Sequence, residues 1–301
     1  MEHHALRPKD VLDLAAPSTW AASVMPCILA IALSYKQQGF LRPLEALCLF
    51  VGAILMQSAV NALNDYADFV KGTDTLENSP DASDAVIVYG LDPKVARNCG
   101  IAFLVLALLG PGLGAALLAG PTPLIIGLVG AVVVVFYSHG KTPISYLPLG
   151  ELVSGFVMGG LITLAGVHLE THVLSPFVLV QALPVMIGIG LIMLSNNGCD
   201  LERDLVAGRH TLPCFLGRQR TDLFYRVAII VWIACPLVLM LLQGMHMGAL
   251  VYALELPVML QGIMRQLSLQ LGQPARMQIM AGIGQLVVIC SFAYIVALAV
   301  G

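Results

Sequence analysis

The hydrophobic positions of this chain neither alternate nor recur as isolated faces; they run on. Nine apolar segments follow one another, at about 17–35, 44–69, 95–118, 122–138, 148–168, 175–198, 223–243, 247–264 and 277–299. Each approaches the roughly 20 residues that a helix needs to cross a bilayer. Continuous runs predict helices, whereas barrel strands would alternate. The expected fold class is therefore all-α, a polytopic membrane bundle of nine transmembrane helices forming one domain over residues 1–301. Ala119-Gly120-Pro121 and Gly244-Met245-His246 are very short links, and the long polar loops cover about 70–94 and 199–222. Residues 1–16 are polar, mixed in charge and without a signal-peptide pattern, so they read as a tail on the cytoplasmic side. Prolines 26, 184, 236 and 257 fall inside spans, where they are expected to kink helices. Gly155, Gly159 and Gly160 suit close helix contact.

Composition agrees with the pattern. The chain is 58% hydrophobic and 11% charged, against about 25% charged residues in an ordinary soluble domain. That excludes a soluble globule, a disordered chain and a nucleic-acid binder with a basic face. Charge also tests the span count. With the N-terminus inside, only Lys36 and Arg42 of the 15 Lys and Arg fall outside, as the positive-inside rule expects. An odd number of spans then puts the C-terminus outside. The seven cysteines show no C-x-x-C and mostly lie in apolar runs, as small hydrophobes do.

Against so few charges, the acids stand out. Asn61, Asn64, Asp65 and Asp68 close the second span, and Asn196, Asn197, Asp200 and Asp204 close the sixth. Spacings of three and four place each set on one helix face. Both spans run the same way, so both sets reach the cytoplasmic surface, and their likeness hints at an internal repeat. Facing carboxylates need a cation between them. Asp and Asn oxygens suit Mg²⁺, which binds through one or two carboxylates plus substrate phosphates. Lys71, Lys141, Arg203 and Arg209 lie nearby as phosphate donors. With apolar helices around it, such a centre fits a polyprenyl diphosphate.

These residues carry a resemblance. N-D-Y-x-D-x-x-x-G-x-D from Asn64 to Asp74 and N-N-x-x-D-x-x-x-D-x-x-x-G-R-x-T-L from Asn196 to Leu212 resemble the two signatures of the UbiA superfamily of intramembrane prenyltransferases. Tyr137-x-x-Gly140-Lys141-x-Pro143-Ile144, leading to Glu151, is similar to the loop of its menaquinone-pathway branch, the MenA-like 1,4-dihydroxy-2-naphthoate polyprenyltransferases. The resemblance implies nine helices and two magnesium ions, one on Asp65 and Asp68 and the other on Asp200 and Asp204. It implies that Asn61, Asn64, Asn196 and Asn197 orient ligands, and that Lys141 and Arg209 meet the diphosphate. Its partners would be a polyprenyl diphosphate, an aromatic acceptor and membrane lipid, in a bacterial cytoplasmic membrane with the site facing the cytoplasm. The chain departs from the family after the first signature, where Asp81 to Gly90 lacks the arginine that many members carry.

The reaction so implied is loss of diphosphate from an allylic carbon and attack by an electron-rich aromatic carbon. For a dihydroxynaphthoate acceptor, decarboxylation follows and gives demethylmenaquinone. Tyr66 and Tyr137 fit either cation shielding or interfacial anchoring, and Glu151 is one candidate for the acceptor's base. His168, Glu170 and His172 fall at the outer end of span five and are expected in a solvated loop. Glu255, inside span eight, is expected to be hydrogen-bonded within the protein. Rival readings are a different acceptor (4-hydroxybenzoate, homogentisate or a glycerol phosphate lipid), a prenyl-binding relative without catalysis, and a secondary transporter. Transporter sites tend to lie near the midplane between inverted repeats, whereas both acid sets here lie at one face.

Overall fold

A computed structural model describes residues 3–72, 87 and 90–301; Asp74 and most of the arginine-free stretch after it lie outside them. Among the described residues the structure is helical, with no β-strand. The helices are α1 (Pro8–Ala15), α2 (Ala21–Gln38), α3 (Pro43–Val70), α4 (Pro93–Ala119), α5 (Thr122–Ser138), α6 (Gly150–Thr171), α7 (Phe177–Gln181) and α8 (Leu183–Cys199). They continue as α9 (Leu201–Val206), α10 (Leu212–Leu216), α11 (Arg218–Leu242), α12 (His246–Ser268) and α13 (Arg276–Val300). Proline opens many of them, with its fixed φ preset for a first turn. Among the described residues six helical segments are long and apolar enough to cross a membrane, and a seventh arises if Pro8–Thr19 and Ala21–Gln38, bent by 57°, count together. α5 and α8 are shorter apolar helices.

The helices close into a ring. α2 packs on α3 and α6, α3 on α4 and α5, α6 on α8, α8 on α11 and α13, and α12 and α13 complete the circuit back to α2. The ring has two chemically different poles. At one, Lys36 donates to the carbonyl of Leu298 at 2.9 Å and the Arg42 guanidinium to the carbonyl of Glu170 at 2.8 Å. At the other pole lie the ends of α3, α5 and α8 and the starts of α11 and α13. There Lys71 bonds the Ser138 carbonyl at 2.8 Å and Arg218 the Gly198 carbonyl at 2.6 Å.

Some expectations change. Span six is broken at Ala182 between α7 and α8, and Pro184 begins α8 rather than kinking its interior. Pro26, Pro236 and Pro257 do lie inside helices. Part of the N-terminal tail is a packed helix, with Leu14 fully buried and Asp10 held by Arg7. His168 and Glu170 are not in a solvated loop. Both are buried in α6, and Glu170 accepts a hydrogen bond from the backbone N–H of Arg42 at 2.8 Å. Glu255 has one carboxylate oxygen buried without a hydrogen-bond partner, so the bond expected there is missing on that side.

Among the described residues two stretches wind as π-helix, Leu108–Gly112 in α4 and Gly155–Leu161 in α6. The second sits where α6 crosses α8 closely. A Cβ at Gly159 would lie 2.7 Å from the Cα of Met186, and one at Gly155 would lie 2.5 Å from its carbonyl oxygen. Backbone cannot yield as a side-chain tip can. Gly159→Ala is therefore expected to lower stability by about 1–3 kcal/mol, read as an earlier melt of the detergent-solubilised protein.

Candidate active site

A cavity of about 1080 Å³ opens at the cation-rich pole and runs down between α3, α4, α5, α6 and α8. Along α3, positions three and four apart face it from Cys48 to Asp68. Its wall is apolar except near the mouth, where Asn61, Asn64, Asp65 and Asp68 meet Asn196, Asn197, Asp200 and Asp204. The two acid sets thus share one space. On the second set the helix bends: α8 ends at Cys199 and α9 begins at Leu201, with Asp200 at the joint. The bend still leaves Asp200 and Asp204 on the cavity.

Arg209 joins the sets. Its guanidinium pairs with Asp68 of the first and lies 3.5 Å from Asp204 of the second. Burial works to lower the Arg209 pKa, but Asp68 and Asp204 outweigh it and hold it above its ordinary value, so the cation persists at any working pH. Burial pushes the Asp204 carboxyl up to about 7, with Arg209 opposing and Asp200 adding to the rise. The Thr211 hydroxyl donates to Asp204 at 3.3 Å.

Other polar contacts set the geometry. Asn64 donates to Asp68 at 3.0 Å and accepts from the Ser138 hydroxyl at 2.7 Å. Asn61 donates to the Thr19 hydroxyl at 2.8 Å and to the Ala15 carbonyl at 3.0 Å, so it also ties α3 to the N-terminal segment. Lys71 and Arg203 line the mouth. Lys71 and Arg209 lie over the Tyr146 ring, 4.5 and 5.0 Å from its centre.

Several expected residues stand elsewhere. Lys141 is exposed and does not line the cavity. Glu151 also lies off it, buried and accepting from the Asn197 amide at 2.9 Å. Of the two tyrosines, Tyr137 lines the cavity, whereas Tyr66 stacks on His139 with ring centres 5.9 Å apart. Sequence reasoning missed Arg276, which reaches in from the start of α13. It donates to Asn196 at 2.8 Å and lies 3.3 Å from Asp200, which Gln273 also contacts. Its one visible signal was its place among the cations at the expected inner end of the last span. Tyr146 was missed as well, and carried no signal beyond lying in the loop after span four.

The donor set is all oxygen, which fits Mg²⁺. Among the described residues no three His, Cys, Asp or Glu side chains form a ready cage. An ion there would be completed by ligand oxygens, the usual habit of Mg²⁺ with phosphates.

Comparison with known proteins bears on what such a site serves. Residues 23–298 match the family described as UbiA prenyltransferase. The chain belongs to the UbiA prenyltransferase family. It is 34% identical over 213 residues to a 1,4-dihydroxy-2-naphthoate octaprenyltransferase of Bacillus subtilis, a match covering 69% of this chain and 66% of that one. It is 26% identical to the protein of the same name in Haemophilus influenzae, over 82% of each chain. Its fold matches the structure of a UbiA homologue from Archaeoglobus fulgidus bound to GPP and Mg²⁺, with a TM-score of 0.66 at 14% identity over 95% of this chain and 99% of that chain. This UbiA-family chain is an integral membrane protein.

Proposed function

We propose that the chain transfers a polyprenyl group from an allylic diphosphate to an aromatic acceptor, 1,4-dihydroxy-2-naphthoate, with loss of the acceptor's carboxyl group. One observation carries this reading: two carboxylate sets meet at the mouth of a cavity whose remaining depth is apolar. A strongly anionic head with a long hydrocarbon tail matches that division. The acceptor rests on the names of the Bacillus and Haemophilus relatives.

In this account Asp65 and Asp68 would hold one magnesium ion and Asp200 and Asp204 a second, which would supply positive charge to offset that building on the departing diphosphate. Asn64, Asn196 and Asn197 orient the head, and Arg209, Lys71 and Arg276 lie within reach of its oxygens. As the allylic C–O bond breaks, its electron pair leaves with the diphosphate. The acceptor's carboxyl-bearing carbon then forms the new C–C bond, and CO₂ departs. Tyr137 presents its ring where the allylic carbon gains positive charge. The apolar walls, with Met56, Val60 and Val134 among them, hold the tail and keep out water. The whole chain acts as one domain of nine spans, with the two shorter apolar helices and α2 among them, in a bacterial inner membrane. The cation-rich pole and the site face the cytoplasm, and the C-terminus lies outside.

Protons and metal compete for Asp204. With a carboxyl near pH 7, the ionised fraction falls as pH is lowered through that value. The Mg²⁺ concentration for half-maximal turnover is expected to rise roughly tenfold from about pH 8 to about pH 6, measured by titrating the metal at each pH.

Mass spectrometry of the products tests the reading as a whole. Purified protein would receive Mg²⁺, octaprenyl diphosphate, and dihydroxynaphthoate or 4-hydroxybenzoate in parallel. A prenylated, decarboxylated naphthoquinol is the expected product. Prenylated 4-hydroxybenzoate alone would contradict the acceptor, and no transfer to any acceptor would contradict the activity.

A further inference from the structure

We infer that Gly52 sets how long a prenyl tail the cavity accepts, an inference that rests on the reading just given. The cavity wall on α3 reaches from Asp68 down to Cys48, which at about 1.5 Å per residue is roughly 30 Å of depth. A tail anchored by its diphosphate at the mouth therefore extends nearly the thickness of the apolar layer. Gly52 lies on that wall about 24 Å from Asp68 by the same helical rise, well below the polar residues.

The opposing wall at this level is unusual. Pro111 and Gly112 belong to the π-helical stretch of α4, and both line the cavity. A π turn carries an extra residue and often marks a functional position. Here it brings Pro111 to face Gly52. A Cβ built on Gly52 would lie 3.6 Å from the Pro111 Cβ, an ordinary contact. Alanine therefore fits against Pro111, and a larger side chain, stopped by Pro111, must turn beside it into the cavity that both residues line. One turn deeper the chain again has small groups, Cys48 on α3 and Ala115 on α4, both on the cavity. At the level of Gly52, α3 presents Gly52 and Ala53 and α4 presents Pro111 and Gly112, and Leu49 one turn deeper is the next large side chain on the α3 wall. Short donors end above this point, and long donors must pass it.

The test compares donors within one protein. Turnover of geranyl, farnesyl, geranylgeranyl and octaprenyl diphosphate would be measured for the parent chain, Gly52→Ala and Gly52→Leu. Parent turnover with any of them checks the underlying activity separately. For Gly52→Leu, the ratio of kcat/KM for octaprenyl over geranyl diphosphate is expected to fall at least roughly tenfold, with Gly52→Ala close to the parent. Should Gly52→Leu fail to assemble, Ala115→Val narrows the next turn from the facing helix and is read by the same ratio. A ratio unchanged in an assembled variant would overturn the inference. It would mean either that long tails leave through the wall into the lipid above Gly52, or that the substitution acts on all donors alike.

Discussion

Asp65→Ala is expected to reduce prenyl transfer on the order of 10³-fold while leaving an assembled, folded protein. Asp65 is buried at the cavity mouth, three residues from Asp68 and across from the second acid set. In the proposed mechanism it supplies an anionic oxygen exactly where the metal-bound head must sit, and alanine supplies none. The loss should fall on kcat with every donor, short or long, since the head group is common to all. Asp65→Asn, which keeps shape and one oxygen without charge, should recover little. Turnover assays alongside thermal melts check both halves; an alanine variant with near-parental activity would contradict the metal role of the first signature.

Arg209→Ala is expected to damage both stability and donor binding. Its guanidinium lies between Asp68 and Asp204, and all three side chains are largely buried. Removing the cation leaves two buried carboxylates facing each other, and breaking a buried pair from one side costs about 3–5 kcal/mol. The variant should therefore melt clearly below the parent, and its KM for the allylic diphosphate should rise. Arg209→Lys keeps the charge but loses the two-armed reach, so it should restore stability better than binding. The double variant Asp68→Asn with Arg209→Gln should cost less stability than the two single changes added together, because the carboxylate no longer stands unpaired. Additive losses in that cycle would show that Arg209 is not coupled to Asp68 of the first set.

Much of this molecule was legible in the chain. Continuous apolar runs marked the helices because a membrane helix buries every face, and most helix ends fall close to the expected edges. The paired acids were legible because charge is scarce and their spacing of three and four is a property of one helix. What escaped depended on contacts between distant segments. Span six reads as one apolar run, yet it breaks at Ala182, since hydropathy does not register a bend. Glu170 looked like a loop residue, but Arg42 from the start of α3 meets it at the far pole. Lys141 stood near the site in sequence, and the loop after α5 leaves it exposed. Arg276 stood far from both signatures, and only the closing of the ring brings the start of α13 against Asp200 and Asn196.

The central claim is that the two signatures act as one metal-dependent clamp on a diphosphate. The most direct measurement is calorimetric binding of a non-reactive allylic diphosphate analogue to the purified protein, with Mg²⁺ and with chelator, for the parent, Asp65→Ala and Asp200→Ala. The account predicts binding that requires Mg²⁺ and is lost or strongly weakened in both variants. Equal affinity with and without the metal, or loss in only one of the two variants, would contradict it.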